Sequence, residues 1–238
     1  MSENKYLYSV TRIRALETKL LDKAKIERMI EARNADEIIK ILYETEYANS
    51  ISEMKSVEDY ESVLSKELSN TYKLLSEISP VPELTNLFQL RYDIHNLKTL
   101  LKSSYLDEEN DELLSEIGTI PIQQLKGMIK EKVFSDLDPL VRESLEEVVG
   151  EFTVNPDPQL IDVTLDKALY KLMYKAAKDN KSSFLTDYIS TQIDLINIKS
   201  LIRVKSMGYG REFLKKVILE NGKLDYAFFS DIFDESLE

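Results

Sequence analysis

No glycine and no proline occurs in the first 79 residues of this 238-residue chain, and only six of each occur in the whole of it. These are the residues that stop helices and shape tight turns. A long stretch without them, rich in Leu, Ile, Glu, Lys and Ser, folds most economically as long helices. Sheet-based and collagen-like classes fall away. With 43% hydrophobic and 31% charged positions there is enough apolar material for one large core or two to three smaller ones.

Hydrophobic periodicity places the helices. Ile13, Leu16, Leu20 and Leu21 recur at helical spacing, and Ile26, Met29 and Ile30 mark a shorter amphipathic piece. Asn34 with Glu37 reads as a capping box opening a helix through Ile38, Ile39 and Leu42, and Ser56 with Asp59 repeats the device ahead of Val63, Leu64 and Leu68. Ser79-Pro80-Val81-Pro82 is a hard break, because proline ends one helix and is tolerated in the first turn of the next. A long helix is then expected over about 83–106. The acidic run 107–116 reads as a solvated loop, an insertion that leads to Gly118 and Pro121. Helices follow over 122–132, 139–149, 158–178 and 182–207, with Gly208 supplying a left-handed stop. The tail holds a short helix over 213–219, the Asn221-Gly222 turn and a last helical piece over 224–233.

An internal repeat organises these helices. Asp93-Ile94-His95-Asn96-Leu97-Lys98-Thr99-Leu100-Leu101-Lys102 is matched by Asp194-Leu195-Ile196-Asn197-Ile198-Lys199-Ser200-Leu201-Ile202-Arg203, 101 residues further on. A weaker copy at the N-terminus aligns Arg12-Ile13-Arg14-Ala15-Leu16 with Asn96-Leu97-Lys98-Thr99-Leu100, 84 residues away. Three helical units are implied, over 1–82, 83–182 and 183–238, and the third is expected to be incomplete as the chain stands.

On a helical wheel Asp93 and Asn96 share a side with Leu97, Leu100 and Leu101, so two polar groups per copy are aimed at a core. Burial there is costly without hydrogen bonds, and Asp93, Asn96, Asp194 and Asn197 are expected to find partners at a helix terminus or a tyrosine hydroxyl and to fix helix register. The first copy has Ser9 and Arg12 at these places and must use a different network. Arg14, Lys98 and Lys199 recur once per unit and are expected to point away from each local core. There they are the candidate partner-binding residues, or else merely a solvated face.

Composition narrows the function classes. The absence of Cys removes disulfides, thiolate metal sites and cysteine nucleophiles, and fits a reducing, cytoplasmic compartment. One His leaves a single imidazole and excludes any imidazole cluster. His95 reads as a surface or interface residue, Gly208-Tyr209-Gly210-Arg211 as a turn, and the exposed carboxylate pairs Glu108 with Glu109 and Glu146 with Glu147 give no acid/base site. No catalytic, metal or cofactor residues are expected. A net charge of −12 opposes binding to nucleic acid and to anionic lipid, so any membrane role must run through another protein. No run approaches the length of a spanning helix, and Met-Ser-Glu-Asn-Lys-Tyr carries no secretory apolar segment.

The ordered motifs resemble a known family, the C subunits of the V/A-type ATPases and ATP synthases, relatives of the d subunit of the eukaryotic vacuolar ATPase. The resemblance rests on Tyr8-Ser9-Val10-Thr11-Arg12-Ile13-Arg14-Ala15-Leu16-Glu17, Leu20-Leu21 and Glu44-Thr45-Glu46-Tyr47, on Tyr92-Asp93-Ile94-His95-Asn96-Leu97-Lys98, and on Asp194-Leu195-Ile196-Asn197-Ile198-Lys199 and Arg211-Glu212-Phe213-Leu214. It covers the whole chain. It implies an all-α funnel of similar helical domains about a pseudo-threefold axis, the third incomplete here. It also implies a non-catalytic adapter, monomeric outside its complex and peripheral at the inner face of the membrane. The implied partners are the D and F proteins of the shaft and the membrane proteolipid ring, coupled for ATP-linked H+ or Na+ transport. The alternative is a free helical-repeat scaffold that binds a soluble partner.

Overall fold

The computed structural model describes residues 3–152, 154 and 156–235, and among them every regular element is helical. The chain divides into two compact units, Met1–Gln89 and Leu90–Glu238. Most of the second sequence repeat, and all of the third, lies within the second unit.

In the first unit, α1 is Leu7–Glu17, α2 Lys23–Ile30, α3 Ala35–Leu42, α4 Ala48–Ile51, α5 Tyr60–Ile78 and α6 Pro82–Asn86. The caps read from sequence are in place. Asn34 accepts from the Glu37 amide at the start of α3, and Ser56 and Asp59 form a reciprocal capping box ahead of α5. Ile41, Ile51, Val63, Ile78 and Leu87 form the buried apolar set of this unit. The only buried residue of α1 is Ser9, whose hydroxyl donates to the Ile78 carbonyl at the end of α5. That bond is the different arrangement expected of the first repeat copy, and Arg12 takes no place in it, being exposed.

In the second unit, α7 is Leu90–Leu106, α8 Ile122–Glu131, α9 Pro139–Phe152, α10 Pro158–Asp179, α11 Ser183–Ser206, α12 Arg211–Val217 and α13 Tyr226–Asp231. Helix α10 is the hub, packed against α7, α9 and α11, with Ile161, Leu165, Met173 and Ala177 buried along it. Asp157 caps it and Pro158 occupies its first turn, where a missing amide proton costs nothing. The C-terminal end of α11 and the segment after it form a second cluster of Leu201, Val204, Leu214, Ile218 and Phe229.

One local expectation changes and another holds. The helix expected from residue 83 is interrupted: the Phe88 and Gln89 amides reach back only three residues, to Thr85 and Asn86, so α6 closes and α7 starts afresh at Leu90. Leu87 is buried at this break, and no glycine or proline lies between α6 and α7. At the other end Gly208 adopts φ +73° after α11, the left-handed stop its position suggested.

Candidate functional site

The Asp-x-x-Asn repeat builds the same clamp twice. On α7, the Asp93 carboxylate accepts from the Thr119 amide at 3.1 Å, the Thr119 hydroxyl at 2.7 Å and the Ile120 amide at 3.0 Å. One turn on, the Asn96 side chain donates to the Ser115 carbonyl at 2.8 Å and accepts from the Ser115 amide at 2.8 Å. On α11, Asp194 accepts from the Lys223 and Leu224 amides at 3.1 and 3.0 Å. Asn197 donates to the Leu219 carbonyl at 2.9 Å and accepts from its amide at 2.8 Å. In both clamps the primary amide pairs with both polar groups of one peptide, and the carboxylate holds two successive amides a few residues later. All four side chains are buried, and each is matched by donors or acceptors as burial demands.

The partners are loop backbone groups and, at Asp93, the Thr119 hydroxyl, where a helix terminus or a tyrosine hydroxyl was expected from sequence. Each clamped loop carries a glycine, Gly118 or Gly222, at which an added Cβ would collide with Oδ1 of the clamping Asp93 or Asp194. The glycine is required by close approach, since neither has a positive φ. The acidic run 107–116, expected to be a solvated loop, is therefore tied down at its end by Asn96, and His95 Nε2 adds a bond to the Leu113 carbonyl. Burial pushes the Asp93 carboxyl above the ordinary range, against the opposing pull of the Thr119 and Ile120 donors.

The basic repeat positions divide. Arg14 is exposed and, among the described residues, pairs with Glu17 on its own helix, at 2.8 Å. Lys199 is exposed. Lys98, expected to point away from the local core, instead faces α10: Nζ lies 2.5 Å from Asp166 and 3.8 Å from Asp162, with 17% of its side chain exposed. Lys102 holds Asp162 through both oxygens at 2.8 Å. The wheel assumed one buried side, but α7 has two neighbours, α8 and α10, and the second takes up the basic face. The structure thus brings Asp93 with Asn96, and Asp194 with Asn197, to common loops, and gives Arg14, Lys98 and Lys199 three different environments. Sequence reasoning missed Asp162 and Asp166, whose one-turn spacing matches that of Lys98 and Lys102. It named Gly118 and Gly222 only as loop and turn residues, although their 104-residue separation nearly repeats the helix offset.

In the first unit, the Arg28 guanidinium forks onto Glu44 at 2.9 and 3.2 Å, holding that carboxyl below its usual range while Glu44 raises the guanidinium. Both ends are exposed, which keeps the contribution small. Among the described residues no group of three or more His, Cys, Asp or Glu is placed to hold a metal ion, and no helix is long and apolar enough to cross a membrane.

Residues 9–238 match the family described as ATP synthase (C/AC39) subunit. Among curated relatives, the C subunit of an A-type ATP synthase from Desulfurococcus sp. (strain SY) is 27% identical across 98% of this chain and 66% of its own length. The corresponding A-type C subunit from Methanocaldococcus jannaschii is 28% identical across 91% of this chain and 58% of its own length. The C subunit of a V-type sodium ATPase from Enterococcus hirae is 28% identical, covering 89% and 64% respectively. The chain spans somewhat under two thirds of the length of the curated relatives it matches.

Proposed function

Because the chain belongs to the ATP synthase (C/AC39) subunit family, we propose that it acts as a non-catalytic adapter in the central stalk of a rotary V/A-type ATPase, joining the shaft formed by the D and F proteins to the membrane proteolipid ring. The observation that carries this reading is the family match over residues 9–238. In this role the chain sits peripherally at the inner face of the membrane and is held there by protein contacts alone, as its charge of −12 favours. Whether H+ or Na+ is moved is decided in the ring.

An adapter in a rotary machine must carry torque without opening locally, and the second unit has two features suited to that. Its hub helix α10 is packed against three other helices, and the loops entering α8 and α13 are each fixed by a buried carboxylate and a buried amide. The three proposed sequence repeats would present Arg14, Lys98 and Lys199 to the shaft. Lys98 is already engaged with α10, so Arg14 and Lys199 are the better contacts.

The test is calorimetric titration of purified D–F heterodimer into the chain. Saturable binding is expected, with an interface on the order of 1,200–2,000 Å2 and at least tenfold weakening in the Arg14→Glu/Lys199→Glu double variant at unchanged helicity. Absence of heat would remove the adapter reading and leave a free helical scaffold. Binding that survives the double variant would move the interface elsewhere.

A further inference from the structure

The only Asn-Gly pair in the chain, Asn221-Gly222, lies inside the second clamp. Asn197 holds the Leu219 amide and carbonyl on one side of it, and Asp194 holds the Lys223 and Leu224 amides on the other. Between these anchors the hydroxyl of buried Ser190, on α11, donates to the Asn221 carbonyl at 2.8 Å. Among the described residues the Gly222 amide and the Asn221 side chain make no hydrogen bond. Asn221 is exposed at an open cleft beside α9, α10 and α12, and its φ of +72° is a left-handed conformation that asparagine tolerates. The first clamp differs at this place, because Ile117 precedes Gly118 there and brings no side-chain amide.

We propose that Asn221 is a site of spontaneous covalent modification, converted to aspartate or isoaspartate through attack by the Gly222 main-chain nitrogen, with Ser190 promoting the step. The Gly222 nitrogen gives its proton to solvent base and bonds to Asn221 Cγ, and the side-chain nitrogen departs as ammonia, leaving a five-membered succinimide. Water then opens the ring. Breaking its bond to Cγ gives aspartate, and breaking its bond to the main-chain carbonyl carbon gives isoaspartate. One water is consumed, one ammonia is released, and nothing is oxidised or reduced.

The local structure favours this chemistry. Gly222 has no side chain to shield its nitrogen, and that nitrogen is not engaged elsewhere. The Asn221 carbonyl and the Gly222 nitrogen belong to one peptide group, so charge left by the departing proton spreads onto the oxygen that Ser190 already holds. A hydrogen bond to a charged acceptor is the stronger kind. Asp194 lies against Gly222, but its charge is taken up by the Lys223 and Leu224 amides. The consequence falls on the clamp. Either product sets a carboxylate close in sequence to the amides that buried Asp194 holds, and isoaspartate also lengthens the main chain between the anchors at Leu219 and Lys223. The second clamp is thereby loosened with time, and the first is spared.

The test is incubation of the full chain in mildly alkaline buffer, with each asparagine followed by peptide mass mapping and isoaspartate marked by an isoaspartyl methyltransferase. Loss of the Asn221 amide is expected to outpace loss at every other asparagine while the chain stays folded. Ser190→Ala should slow it about tenfold, the worth of one hydrogen bond to a charged group, and Ser190→Thr, which keeps a hydroxyl, should restore it. After conversion, amide exchange at Lys223 and Leu224 should quicken while Thr119 and Ile120 stay protected. Reaction at Asn221 only in urea-unfolded chain overturns the proposal, as does a rate that Ser190→Ala leaves unchanged or raises, since the clamp would then restrain the pair. Unchanged protection at Lys223 and Leu224 after conversion overturns the loosening. The reaction needs no partner, so its outcome is independent of the D–F titration.

Discussion

Gly118 and Gly222 are two of only six glycines in the chain, and each lies where a methyl group would meet a buried carboxylate oxygen. The carboxylates cannot swing aside cheaply, because Asp93 would abandon three donors and Asp194 two. Gly118→Ala should therefore cost about 1–3 kcal/mol in urea denaturation, the usual penalty for overpacking. The diagnostic measurement is the double-mutant cycle. Asp93→Ala removes the atoms the new methyl meets, so most of the Gly118→Ala penalty should vanish in that background. Additive losses would mean the glycine is needed for another reason. Gly222→Ala with Asp194→Ala should repeat the pattern, since the second clamp copies the first.

Pairing between elements depends on both helices at once, and α7 against α10 shows how. Lys98 and Lys102 meet Asp162 and Asp166 with side chains between one sixth and one half exposed, so solvent screens each pair. Lys98→Met keeps the aliphatic stem against α10 and loses one charge, and should cost about 1 kcal/mol. Lys98→Glu sets a third carboxylate beside two others and should cost about 2–3 kcal/mol, with only the repulsive part of that cost relieved by high salt. Equal denaturation midpoints for the two variants would show that the ammonium contributes nothing across this helix pair. A single wheel could not reveal the contact, because it knows the polarity of a face and not which neighbour will cover it.

Across the whole molecule, packing is uneven in a way amide exchange can read. Helix α10 is covered by three others and buries six side chains. By contrast α1 buries only Ser9, and α2 buries none. The slowest amides are expected in α10 and in the stretches of α7 and α11 that carry the clamps, and the fastest among the helices in α1 and α2. Uniform protection along the chain would contradict this ordering. Binding to the D–F heterodimer, if it engages Arg14, should slow α1 selectively.

Much of this architecture was legible in the residues. Scarcity of glycine and proline made the chain helical, Asn34, Ser56 and Gly208 marked boundaries because capping and chain reversal act within a few residues, and the repeat singled out Asp93, Asn96, Asp194 and Asn197 as polar groups on an apolar face. Tertiary structure decided the rest: that the clamps hold loops some 20 to 30 residues away, that Lys98 is spent on α10 while Lys199 is left open, and that α6 breaks before α7. Each depends on which surfaces meet, and a periodicity that marks a face as apolar or basic is silent about what will come to lie against it.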